Sequence, residues 1–278
     1  MGRDRSARAR EAIPPSLVPI AVIVGVVAMA VVGPVAVSWG LGLRPTLVLS
    51  ELALVAPAML ALVGFGVPFR RGLGVAPIPA SGLALSALAG VTLWLASLGL
   101  VEVQYSLWSP PEGFLETFRR LHAALRPSGP VDALVSVAAI ALAPAFCEEA
   151  LFRGAAFASF LTRLSPGLAN VGAAVLFGLI HLDLNAQGVP ALYRVPFAFA
   201  VGIGLGILRL RAGTLAAPVA AHAALNTLTF LVAPLADDPG AGLPAPRPWV
   251  GLGLLAAGAA ASVLVIRRVR VDSAQSGT

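Results

Sequence analysis

The stretch Cys147-Glu148-Glu149-Ala150-Leu151-Phe152-Arg153 places two adjacent carboxylates and a guanidinium inside a run that otherwise reads as membrane-spanning. A charge at the bilayer centre costs roughly 2.5–3.5 kcal/mol even on insertion scales. Three charges together therefore call for chemistry, a pathway or an internal ion pair. Glu149 and Arg153 are four residues apart, so they share a helix face, with the glutamate on the favourable N-terminal side. They are predicted to pair. Glu148 is displaced by about 100° around the helix and has no such partner. It is the candidate reactive carboxylate.

Further polar residues match Glu148 in depth. Ser165-Pro166-Gly167 forms a reversing turn. Glu148 stands 17 residues before Ser165 and His181 stands 16 residues after it. In an antiparallel helix pair both lie about 25 Å from the turn at 1.5 Å per residue. Phe152 and Phe177 each sit four residues nearer the turn and predict an apolar collar. His222 and Asn226 are also four apart and share a face. Counted from Arg211, they lie about 16–22 Å into their own span. Glu148, His181, His222 and Asn226 are thus expected at one level.

One carboxylate, two imidazoles and an amide around a water make a hydrolysis set. A carboxylate in apolar surroundings is a stronger base than one in water. Glu148 and His181 suit the holding and deprotonation of that water. His222 and Asn226 suit hydrogen-bond donation to the oxyanion formed on an amide carbonyl. One such donor is typically worth about 2.7–4 kcal/mol in the transition state.

Plainer readings stand beside this one. A single intramembrane histidine is more often an interhelical hydrogen-bond partner. Cys147 reads as a small buried residue, Asp183 and Asn185 as helix-end residues, and His122 as structural or solvent-facing. Glu148, His181 and His222 also form a His₂Glu set of the kind zinc accepts. The usual His-Glu-x-x-His pattern is absent, so a zinc peptidase is the second reading and no cofactor is the first. A non-catalytic transporter or immunity-type membrane protein is the third, because intramembrane carboxylates and histidines also build proton relays. The inverted repeats that would favour transport are not visible in the sequence.

These residues need helices to carry them. The chain is 58% hydrophobic and only 12% charged, with a mean hydropathy of +0.89, against about 25% charged in soluble domains. The fold class is all-α, a polytopic membrane protein of about eight transmembrane helices with one interfacial amphipathic helix. Spans are expected at about 17–39, 46–67, 81–101, 131–164, 168–184, 190–210, 214–235 and 249–266. Residues 1–278 read as one integral membrane domain, with N-terminal spans over 17–101 and a motif-bearing core over about 131–230. Between Pro111 and Pro130, Phe114, Phe118, Leu121 and Leu125 fall on one helix face, as expected for a helix lying in the interface.

All 19 basic residues are arginine. They cluster at predicted membrane edges, so the pI near 11.1 reflects topology and not nucleic-acid binding. The N-tail, Arg70-Arg71, Arg163, Arg209, Arg211 and the C-tail all fall on one side. Asp237 and Asp238 fall on the other. The positive-inside rule makes the termini cytoplasmic in a multi-pass protein of the cell membrane. The lone cysteine excludes an internal disulfide.

Glu148-Glu149-x-x-x-Arg153, Phe177-x-x-x-His181 and His222-x-x-x-Asn226 resemble, in order, the three motifs of the CAAX prenyl protease 2 (Rce1-like) and bacteriocin-processing family of intramembrane glutamic endopeptidases. The resemblance covers about residues 131–230. It implies an eight-helix bundle and peptide-bond hydrolysis in a cavity opening toward the cytoplasm. Glu148 and His181 then activate water, His222 and Asn226 form the oxyanion hole, and Glu149, Arg153 and Phe177 support them. The implied partner is a membrane-associated protein or peptide, lipidated or carrying a C-terminal sorting tail.

Overall fold

The computed structural model describes residues 12–183, 189–232 and 245–269, with the side chains of 112–115, 117, 118, 122 and 189 left outside the description. His122, Asn185, Asp237 and Asp238, the faces of Phe114 and Phe118, the arginines of the N-tail and Arg270 lie outside what is described. Among the described residues there is no strand.

Two long apolar helices open the fold, α1 over Leu17–Ser38 and α2 over Leu43–Gly64. Helix α3, Ala80–Leu107, follows, and then a shorter α4, Glu112–Leu125. Helix α5 runs over Pro130–Phe160, α6 over Pro166–Leu179, α7 over Val195–Ala212, α8 over Ala216–Val232 and α9 over Pro248–Arg268. The chain is a multi-pass membrane protein. Six of its helices, namely α1, α2, α3, α5, α9 and the stretch Pro190–Ala212, are long and apolar enough to cross a bilayer. Helices α6 and α8 have 14 and 17 residues, about 21 and 26 Å at 1.5 Å each. Both are shorter than the spans expected over 168–184 and 214–235. Helix α6 stops at Leu179 because its last turn tightens, with the His181 N–H donating to the Gly178 carbonyl at 3.0 Å.

The helices pack in defined pairs, α1 on α2, α3 on α8 and α9, α6 on α7, and α2 and α8 on the motif-bearing α5. Gly90 of α3 shows how close one of these approaches is. A Cβ there would stand 2.0 Å from the Ala221 carbonyl oxygen of α8, so only glycine lets the two backbones touch. Ala221 precedes His222, and this contact sets where that imidazole stands. Polar ties fix other registers. Arg44 of α2 pairs with Asp132 of α5 at 3.0 Å and donates to Ser136 Oγ at 2.8 Å.

Helix α5 is not uniformly α-helical. Ala138–Leu142 and Ala150–Ala156 are π-helical, and they bracket the acidic pair in Ala143–Glu149. Such wide turns are rare and concentrate at functional sites.

The expected amphipathic segment is helical as α4. Its Leu125 is buried, Leu121 is exposed, and Arg120 pairs with Glu116 at 2.7 Å across an exposed surface.

Candidate active site

The acidic pair lies at the centre of the bundle. Glu149 and Arg153 have no exposed surface at all, and Glu148 retains 8%. The expected ion pair is present, with Arg153 Nη1 donating to Glu149 Oε1 at 2.8 Å. Arg153 also donates through Nη2 to the Gly202 carbonyl of α7 at 2.9 Å, and its guanidinium stacks over the Phe177 ring at 4.4 Å. Pairing, a carbonyl and an aromatic face together offset the cost of burying that cation. Gly202 leaves room for it, since a Cβ there would come within 3.1 Å of Nη2.

Glu149 does more than neutralise the arginine. Its Oε1 lies 3.0 Å from Nδ1 of His222, reaching across from α5 to α8. A carboxylate only accepts, so Nδ1 carries the proton. The bond turns the opposite ring nitrogen, Nε2, toward Glu148, whose Oε2 is 3.8 Å away. This is a carboxylate orienting an imidazole, the arrangement that fixes tautomer and ring position in many hydrolytic sites. Two atoms 3.8 Å apart can both contact one water at about 2.8 Å.

His181, just past the end of α6, is held by its own helix. Its Nδ1–H donates to the Phe177 carbonyl at 2.8 Å. With the proton on that nitrogen, Nε2 of a neutral ring is an acceptor. The Phe177 ring lies between the histidines, with centroids 4.9 Å from His181 and 5.8 Å from His222. Phe152 closes the same cluster edge-on at 5.4 Å from Phe177, so the expected aromatic collar forms.

Glu148, Glu149, Arg153, Phe177 and His222 are therefore assembled directly, and His181 joins them through Phe177. Among the described residues no carboxylate lies within ion-pair distance of His181, whose partners are the carbonyl and the ring of Phe177 and not Glu148. Asn226 lies one turn beyond His222 on α8, half-buried, and no side-chain contact among the described residues ties it to Glu148. Glu148, His181 and His222 do not converge as a metal-holding group among the described residues. Cys147 is buried in the apolar cluster of Leu54, Ala150 and Leu151.

Two charged residues escaped the spacing argument. Glu51 heads the stripe Leu54, Val55, Ala58 and Leu62, all buried, in the apolar cluster that also holds Cys147 and Leu151. Arg44 meets Asp132 and Ser136, and Glu51 lies seven residues further down α2, about 10 Å. Its Oε2 is buried without a hydrogen-bond partner among the described residues. The second is Arg194, at the start of α7. The signal for each was available, because an ionisable residue inside an apolar span is a functional candidate by default.

Residues 130–228 match the family model described as type II CAAX prenyl endopeptidase Rce1-like. Over this stretch the chain is similar to that family. No curated protein and no solved structure matches it. The matched stretch runs from α5 into α8 and includes every site residue that spacing singled out, while α1 to α4 and α9 lie outside it. The family matched over this stretch is one of endopeptidases.

Proposed function

We propose that the protein is a metal-free glutamic endopeptidase that cuts a peptide bond within or beside the membrane. The observation that carries this reading is the relay Arg153–Glu149–His222, with Nε2 of His222 facing Glu148 across 3.8 Å. Glu148 takes a proton from water as the water oxygen adds to the scissile carbonyl carbon. The carbonyl electron pair moves onto its oxygen. When the tetrahedral intermediate collapses, the C–N bond breaks and the proton on Glu148 passes to the leaving nitrogen. The products are a carboxylic acid and an amine, and one water is consumed.

His181 positions the water as an acceptor through Nε2. His222 and Asn226 face the oxyanion. Because Nδ1 of His222 is committed to Glu149, the ring donates from Nε2 only as the imidazolium. The substrate class is the C-terminal tail of a membrane-associated or lipidated protein, reached from a chain whose termini are cytoplasmic and which forms a single domain.

The test compares membranes of cells carrying the normal protein with membranes of cells carrying Glu148→Gln, a change that keeps shape and removes the base. Tails that remain uncut in the variant identify the substrates. Loss of a well-placed general base lowers the rate by about 10²–10⁴-fold. An unchanged proteome overturns the hydrolase reading, and chelator-sensitive cleavage restored by zinc overturns the metal-free mechanism.

A further inference from the structure

Arg194 stands immediately before Val195 at the head of α7, and it is exposed. No hydrogen bond or ion pair among the described residues engages its guanidinium. The backbone that carries it is pinned beside the candidate site. The Val195 carbonyl lies 3.3 Å from where a Cβ on Gly178 would stand, and Gly178 is hydrogen-bonded to the His181 N–H. The Asp183 N–H donates to the Ala191 carbonyl at 3.0 Å. Gln104 of α3 donates to the Tyr193 carbonyl at 2.7 Å, and the Tyr193 ring meets Trp108 edge-on at 5.1 Å. Arg194 is thereby fixed beside the turn that carries His181 and Asp183.

The ordinary explanation of an arginine at a span end is topological. It does not cover this residue. The edge arginines of α7 are Arg209 and Arg211, in the last turn, and Arg194 sits at the opposite end of the 18-residue helix, about 27 Å away. It is a second cation beside the candidate site, whose buried arginine, Arg153, is already paired with Glu149.

We infer that Arg194 receives the free α-carboxylate of the substrate, so that the protein acts on chains whose C-terminus enters the cavity. This rests on the peptidase reading above and adds the group that selects the substrate. A guanidinium binds a carboxylate through two parallel N–H donors. It also offsets the repulsion that an incoming carboxylate meets from Glu148 and Asp183. An internal loop or an amidated terminus supplies no such anion.

The test uses the full-length Glu148→Gln protein in lipid nanodiscs, so that binding is read without turnover. A pool of apolar peptides is made twice, ending in a free carboxylate or in an amide, and capture is quantified by mass spectrometry. The acid form is expected to exceed the amide by about tenfold or more, the scale of a charge-assisted pair. Adding Arg194→Gln makes the two forms equal, Arg194→Lys recovers part of the preference, and Arg211→Gln at the far end of α7 leaves it intact. Equal capture by the Glu148→Gln protein, capture of neither form, or a preference that survives Arg194→Gln overturns the assignment. Failure of the peptidase reading shows elsewhere, as membranes in which Glu148→Gln leaves no protein uncut.

Discussion

At the scale of single residues, Glu149 is the pivot. It joins a cation that cannot lose its charge to an imidazole that can, and it does so with one oxygen, Oε1. The other, Oε2, has no partner among the described residues. Breaking a buried pair by removing one member is far more damaging than replacing both. Arg153→Met alone strands a buried carboxylate and is expected to lower stability by about 3–5 kcal/mol, read as a fall in the melting temperature of the purified protein. Adding Glu149→Gln to it removes the stranded charge and restores most of that stability. Cleavage does not return in the double variant, because His222 has lost the carboxylate that orients it. A double variant that regains both stability and cleavage contradicts the orienting role.

Between elements, the site depends on backbones that touch. Helix α8 reaches its place because Gly90 presents no side chain to the Ala221 carbonyl. Gly90→Leu forces α3 and α8 apart and carries His222 away from Glu148 and Glu149. The expected result is lost cleavage together with lost thermal stability, since the same contact serves both. Gly253→Ala is the control, as nothing lies within 4 Å of its Cβ position. Ala there is also the better helix former, so this variant is expected to keep both properties. The π-helical turns of α5 belong to this scale too. They widen the helix on either side of Glu148 and Glu149, and no residue pattern in the sequence announces them.

For the molecule as a whole, the question is which way the bundle sits. Arg70, Arg71, Arg209, Arg211, Arg267 and Arg268 mark one set of helix ends. By the positive-inside rule we propose that this set is cytoplasmic. A reporter fused after Thr278 that is active only in the cytoplasm is therefore expected to be active, and one that requires export is expected to be silent. The opposite pattern reverses the orientation and the face from which a substrate tail enters, without altering the chemistry at Glu148.

The sequence by itself determined what depends on neighbours along the chain. The Glu149–Arg153 pair follows from four-residue spacing on one helix. The helix stretches follow from apolar runs between turn residues. The common level of Glu148 and His222, and the collar of Phe152 and Phe177, follow from counting rise per residue. Tertiary structure decided the rest, namely the bond from Glu149 to His222, the gift of Arg153 to the Gly202 carbonyl, the early end of α6, and the approach of Glu51 and Arg194. The physical reason is that rotation about a helix axis chooses these partners. In a membrane both the lipid-facing and the buried side of a helix are apolar, so hydropathy marks where a helix runs and is silent on which way it faces.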